Sequence, residues 1–348
     1  MNPEMPALTG LPVFIRGLGL ASALGPDLPT ALTALRAQAA APVMMQAAPG
    51  FSWPVYALAD WSPDDWLGCA RRTVCDVVAQ CGPMPPAARE GILLVASSSQ
   101  DIGWCEQTLD FSGGIQAFAD TVTRWLDWRG PALTVSTACT SSTNALRSAS
   151  AWLGAGLARS ALVLGVELPN RLTLAGFGAL QMLARPETPD QGMMLGQAVA
   201  AVYLEAGGEP ARWRLAGGAN LVNGREAAAP DPDAVRAMCE QALHAGGIGA
   251  EQVDLFKPHL PAGTPQGDAE MGVARAVFAH RPGGVPPMLF FKHRIGHALG
   301  AAGAAEMALL IASVDAGLVQ RCQAPRHALL HSLGFGGGHA ALVLERRP

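Results

Sequence analysis

Short apolar runs alternate with longer stretches of helical spacing along nearly the whole chain. Residues 11–20 read as a strand running into a glycine turn, and 29–40 as a helix whose Pro29 suits a first turn. A second helix is predicted over 64–80, where Arg71 and Arg72 lie. Residues 91–96 form a buried strand, 115–128 a further helix and 131–135 a short strand. An Ala/Leu-rich helix follows over 144–157, and core strands over 160–167 and 196–205. At Gly207-Gly208-Glu209-Pro210 the composition breaks to polar turn residues, and the pattern begins again. Strands are predicted over 212–219, 253–257 and 340–345, and helices over 233–245, 269–278 and 300–316.

Apolar strands alternating with helices predict an α/β fold with parallel sheets buried between helical layers. Two such cycles predict two α/β halves, 1–207 and 208–348, packed together with the active site between them. No repeat of sequence accompanies them, so the duplication rests on the pattern alone.

Composition narrows the class. Of 348 residues half are hydrophobic, 15% are charged and 40 are glycine, which describes a packed enzyme-like chain with many tight turns. A net charge of −4 without any Lys/Arg run argues against nucleic-acid binding. No stretch reaches the roughly 18 apolar residues of a membrane span. The first five residues contain an acid and no basic cluster, so no secretory leader is expected there. The seven cysteines are scattered, and Cys69, Cys75 and Cys81 splay around a helix without matching a zinc spacing. Reduced thiols in a cytoplasmic protein, with no metal, are expected.

Cys139 stands apart, in Ser136-Thr137-Ala138-Cys139-Thr140-Ser141-Ser142, between the strand at 131–135 and the helix after it. At a strand-to-helix elbow the first helical N–H groups lack partners, and their field favours a thiolate. A free cysteine is also, commonly, just a small buried hydrophobe. The elbow alone leaves both readings open.

Three segments of the second half place polar residues where a core would exclude them. They are Lys257-Pro258-His259 through Gly263-Thr264-Pro265-Gln266-Gly267-Asp268, Lys292-His293-Arg294-Ile295-Gly296-His297 through Glu306, and Gly334-Phe335-Gly336-Gly337. Together with Ala138-Cys139-Thr140-Ser141-Ser142, they occur in the order found in the β-ketoacyl synthases of the thiolase superfamily. The chain resembles that family from the glycine turn near Gly17 to the last strand.

The resemblance implies a thiolase-like fold of two similar halves in α-β-α-β-α layers. It also implies a Cys-His-His centre made by Cys139, His259 and His297. The cysteine would take an acyl chain as a thioester, and the histidines would help decarboxylate a malonyl thioester and hold its enolate. By the same resemblance, the N–H groups of Cys139 and Phe335 form an oxyanion hole, and Phe335 gates the acyl pocket. Thr264, Gly336 and Gly337 would contact substrate, and Lys292 and Glu306 would form a buried pair. No tightly bound cofactor is implied. Substrates would arrive on the phosphopantetheine arm of an acyl carrier protein; Arg71 and Arg72 lie on a helix that resembles the family's docking region, or are simply two solvated arginines of a helix face. A homodimer, or a heterodimer with another ketosynthase, is expected. His244, His280, His293, His327, His331 and His339 lie outside these motifs and are expected to be structural or exposed.

Departures from the family pattern bear on activity. The segment Leu260-Pro261-Ala262-Gly263-Thr264-Pro265 is one residue longer than usual and lacks the first threonine, which bears on the handling of malonyl substrates. Gln191 and Gln197 stand where the family has acids, and the chain is short for the family. Such features suit a specialised pathway enzyme or a chain-length factor, the synthase-like partner of an active synthase. Chain-length factors normally lack the cysteine, so its retention favours an enzyme. A hydrolase or simple acyltransferase reusing the acyl-cysteine is the third reading.

Overall fold

The structure is a computed structural model that describes residues 10–185, 187, 191–223, 231–259, 265–319, 322 and 324–348. In chain order, β1 (Val13–Ser22) leads to α1 (Leu28–Ala37) and a hairpin of β2 (Val43–Ala48) and β3 (Phe51–Tyr56). Next come α2 (Trp66–Ala79), β4 (Ile92–Ala96), α3 (Ile102–Thr108), α4 (Ala117–Leu126) and β5 (Ala132–Val135). The segments α5 (Ser141–Gly154), β6 (Ser160–Glu167), α6 (Arg171–Ala179), β7 (Leu195–Gly196) and β8 (Ala198–Ala206) follow. The remainder holds β9 (Trp213–Val222), α7 (Pro232–Ala245), β10 (Leu255–Lys257) and α8 (Pro265–Val277). It ends with α9 (Lys292–Ile295), α10 (Ala302–Asp315), β11 (His327–Gly334) and β12 (Gly338–Arg346).

Among the described residues, one nine-stranded sheet runs β10-β11-β12-β9-β1-β8-β6-β4-β5. Its pairing order repeats. From β1 outward the pairs are antiparallel to β8, antiparallel to β6, then parallel to β4 and β5. From β9 outward they are antiparallel to β12, antiparallel to β11, then parallel to β10. A short pairing of β1 with β9, from Val13↔Leu215 to Ile15↔Trp213, joins the two series. The expected all-parallel sheets are therefore mixed. The physical reason is clearest at β11–β12, where a three-residue glycine turn makes a hairpin and forces antiparallel pairing.

Side-chain alternation separates the layers. On β8, Ala198, Ala200, Val202 and Leu204 face the core containing α5 and α10, while Val199, Ala201 and Tyr203 face the core under α2 and α4. On β12, Leu342 and Leu344 turn toward the first of these cores, and Ala341 and Val343 toward α7 and α8. The two halves of the sheet thus lie between helices in the order helix, half-sheet, helix, half-sheet, helix. The central α10 is buried on nearly every face, as a helix apolar all round must be. Its approach to α5 depends on Gly303, where a Cβ would sit 2.1 Å from Thr143 Oγ1. Ser142 Oγ accepts the Ala304 N–H at 3.0 Å and locks the crossing. Among the described residues no helix is long and apolar enough to cross a membrane.

Candidate active site

The chain leaves β5, turns through Ala138 in the left-handed region at φ 52°, and enters α5 directly after Cys139 and Thr140. Side chains of the elbow brace it. Thr140 Oγ1 donates to Thr137 O at 2.7 Å, Ser141 Oγ donates to Ala138 O at 2.6 Å, and the Thr137 N–H donates back to Ser141 Oγ at 2.9 Å. Held this way, Cys139 is 8% exposed and packs with Val55, Leu174, Leu183, Leu195 and Leu299.

Burial pushes the Cys139 thiol up to about 11; hydrogen bonds from the backbone N–H groups of Phe335 and Cys139 and the Lys292 cation oppose this, while Glu167 adds to it. The expectation of a lowered thiol pKa is thus corrected. Desolvation outweighs the local donors, and the N–H groups that reach the sulfur are those of residues 335 and 139 rather than of the helix body. Glu167 is held 3% exposed by Ser98 N–H, Ser98 Oγ at 2.6 Å, Ser99 Oγ at 2.5 Å and Gly300 N–H at 3.1 Å. The sequence reading placed Glu167 only at the end of a strand.

His259 follows the end of β10, and His297 follows α9. Their rings meet edge to face, centroids 5.2 Å apart, and both residues are buried. His297 is pinned by its main chain, its N–H to Met194 O at 2.8 Å and its C=O to Gly196 N–H at 3.0 Å. Burial first, and the Lys292 cation second, hold both imidazoles well below the ordinary histidine range, so both are neutral. Lys292 acts electrostatically on Cys139, His259 and His297 alike, which draws the three expected residues around one cation.

Lys292 Nζ lies 2.5 Å from Glu306 Oε1, the pairing expected from the sequence. A second lysine was not anticipated. Lys257, closing β10, pairs with Glu306 Oε2 and donates to His331 O at 3.2 Å. Burial brings Lys257 down to about 8, with Glu306 opposing. The signal is present in the sequence, because a lysine ending an otherwise apolar strand needs a buried acid. A small cavity is lined by Pro258, His259, Phe291, Lys292 and Glu306.

The glycine segment is the β11–β12 turn. Gly336 and Gly337 have φ of 92° and 76°, which an L side chain rarely adopts, and Phe335 stands 45% exposed at its tip. A larger cleft is lined by Met45, Val55, Leu174, Leu195 and Leu299, with Glu167, Asn170, Thr173 and Gln197 between them. Gln197 Oε1 accepts the Leu58 N–H at 3.0 Å. Thr264 lies outside the described residues. Arg71 and Arg72 are exposed on α2, away from the cavities, and Arg72 pairs with Asp65 at 3.0 Å on its own helix. His331 and His339, outside the motifs, are both buried.

Residues 106–209 match the model of the beta-ketoacyl synthase N-terminal domain, and residues 217–323 that of the C-terminal domain. The chain belongs to the β-ketoacyl synthase family. Over 261 residues it is 30% identical to 3-oxoacyl-[acyl-carrier-protein] synthase 2 of Rhizobium meliloti, covering 63% of this chain and 61% of that one. Over 273 residues it is 28% identical to the highly reducing polyketide synthase alnA of Emericella nidulans, covering 65% of this chain but only 11% of that much longer protein. A ketosynthase (ApeO) in complex with its chain length factor (ApeC) from Xenorhabdus doucetiae superposes with a TM-score of 0.82 at 22% identity, covering 99% of this chain and all of the other. The ishigamide ketosynthase/chain length factor gives 0.79 at 20% identity, covering 97% of this chain and all of the other. These likenesses establish a thiolase-like α/β fold.

Proposed function

We propose that the protein is a condensing transferase that carries its acyl chain on Cys139. The observation that supports this most is the thiol's setting. Its sulfur accepts N–H groups from Phe335 and from its own residue, within the field of the cation that also acts on a pair of neutral histidines.

In the loading half, the Cys139 sulfur adds to the carbonyl of an acyl thioester. The pantetheine sulfur leaves, taking the proton that the cysteine gives up. The N–H groups of residues 139 and 335 receive the oxyanion, a donor of this kind contributing about 3 kcal/mol. In the second half, a malonyl thioester loses CO2, and the electron pair of the broken bond enters an enolate. Neutral imidazoles suit that oxygen, since each offers an N–H without a full charge to desolvate. Both Nδ1 atoms are buried without partners among the described residues. The enolate carbon attacks the acyl-cysteine, the C–C bond forms, and the C–S bond breaks to release the thiolate, which is reprotonated. Lys292, Glu306 and Lys257 hold the cavity electrostatically. Gly336, Gly337 and Thr264 contact substrate, and Phe335 gates the cleft.

The substrates ride on the phosphopantetheine arm of an acyl carrier protein that docks near Arg71 and Arg72, in fatty acid, polyketide or polyene assembly. All seven cysteines are free, in keeping with a cytoplasmic setting. Leu133 on the edge strand β5 and Ile115 beside it are exposed, as are Leu109 and Phe111 in the segment leading up to Ile115, which suits a dimer with a second copy or another ketosynthase. One observation favours a second reading, a chain-length-factor-like subunit: the thiol is held protonated, up to about 11. Incubation with acyl and malonyl carrier proteins, with the mass of Cys139 followed, separates the readings. An acylated Cys139 and a ketoacyl product are expected. No acylation, even beside an active synthase, would support the partner role; acylation without condensation would support a simple acyltransferase or hydrolase.

A further inference from the structure

His331 lies on β11, four residues before Phe335, and is fully buried. Its Nδ1 is 2.5 Å from Glu270 Oε1, and that same oxygen accepts the main-chain N–H of His259 at 2.6 Å. Its main-chain oxygen accepts from Lys257, which pairs with Glu306, which pairs with Lys292. One residue therefore touches both supports of the cavity, the carboxylate behind His259 and the lysine–glutamate cluster. His339 stacks beside it from β12, ring centroids 6.5 Å apart.

We infer that His331 is a positioning residue for the histidine pair. Through Glu270 Oε1 it fixes the main chain of His259, and with it the tilt of that ring against His297. Glu270 is 1% exposed, so its carboxylate cannot turn to water when a donor is lost; it follows whichever donors remain. A shift of about 1 Å at His259 is enough to cost roughly 100-fold in a step that depends on its placement. The thiol and its two N–H donors do not rest on Glu270, so loading stands apart. This assignment builds on the proposed condensation chemistry.

The test compares the two half-reactions in His331→Leu. Acylation of Cys139, followed by intact mass, is expected to stay within about 3-fold of wild type, while CO2 release from a malonyl thioester falls about 100-fold. His331→Asn keeps one N–H donor and is expected to lose about 10-fold in CO2 release alone. Should the leucine variant fail to fold, the asparagine variant decides by that same selective loss. Equal losses in both half-reactions, or none in either, would overturn the assignment. If the wild-type protein neither takes an acyl group nor releases CO2, the condensing reading fails separately. The positioning claim is then read from the 15N ring resonances. A larger displacement at His259 than at His297 in His331→Leu supports it, and an unmoved His259 overturns it.

Discussion

Burial pushes the Cys139 thiol up, and its reactivity should reveal that. With its pKa pushed up to about 11, only about one sulfur in a thousand is ionised at pH 8. Iodoacetamide labelling of Cys139, followed by peptide mass, is expected to rise about tenfold per pH unit from pH 7 and to level off near 11. Lys292→Met removes a cation that lowers the thiol, so labelling should slow at every pH below that plateau. The two histidines give the opposite signature, in stability. Their folded pKa values lie well below 6.5, so the unfolded chain binds more protons once the pH falls below that value. Their contribution is complete above pH 6.5 and is lost as the pH drops. The urea midpoint should fall between pH 7 and pH 5, and a His297→Gln variant should show a smaller fall.

Among the elements, α5 and α10 decide where the reactive groups stand. One begins just after the thiol and the other carries Glu306, and they cross at Gly303. Gly303→Ala drives a methyl group into Thr143 and is expected to destabilise the fold by about 2–3 kcal/mol, seen as a lower denaturant midpoint. These two helices, and most core strands, were legible in the sequence because apolar periodicity and glycine punctuation agree there. The strand β6 fell within the limits read for it, 160–167. The strand β11 was not legible, since His327, His331 and Ser332 interrupt its apolar run. Missing it also hid the partner of Glu270. Among the site residues, Cys139, the histidines and the Lys292–Glu306 pair stood out as polar groups in apolar or glycine-rich settings. Lys257 was visible as a lysine ending an apolar strand, but its acid partner was not, and Glu167 and Glu270 gave no sign, since their significance comes from strands and helices brought together only by folding. Nor could spacing show that burial would override the elbow's donors at the sulfur.

At the scale of the whole molecule, assembly and carrier docking can be tested without turnover. The exposed Leu133 lies on the outermost strand, beside the exposed Ile115, whose main-chain oxygen accepts from Thr134 Oγ1. Leu133→Asp places a charge in that patch and is expected to shift the protein toward monomer in sedimentation, with its circular dichroism unchanged. Arg71→Glu should slow acyl transfer from an acidic carrier protein several-fold at low ionic strength, and the deficit should shrink as salt is added. A deficit independent of salt would argue that α2 is not where the carrier lands.

The strand β5 ends four residues before the sulfur and, among the described residues, has no neighbour on its far side. Any subunit that completes the sheet there grips the backbone leading directly into the nucleophile. Thermodynamic reciprocity then binds the two events. If pairing makes the thioester form more readily, thioester formation must tighten pairing by the same factor. The association constant between subunits would thus report, from outside, whether the cargo is aboard.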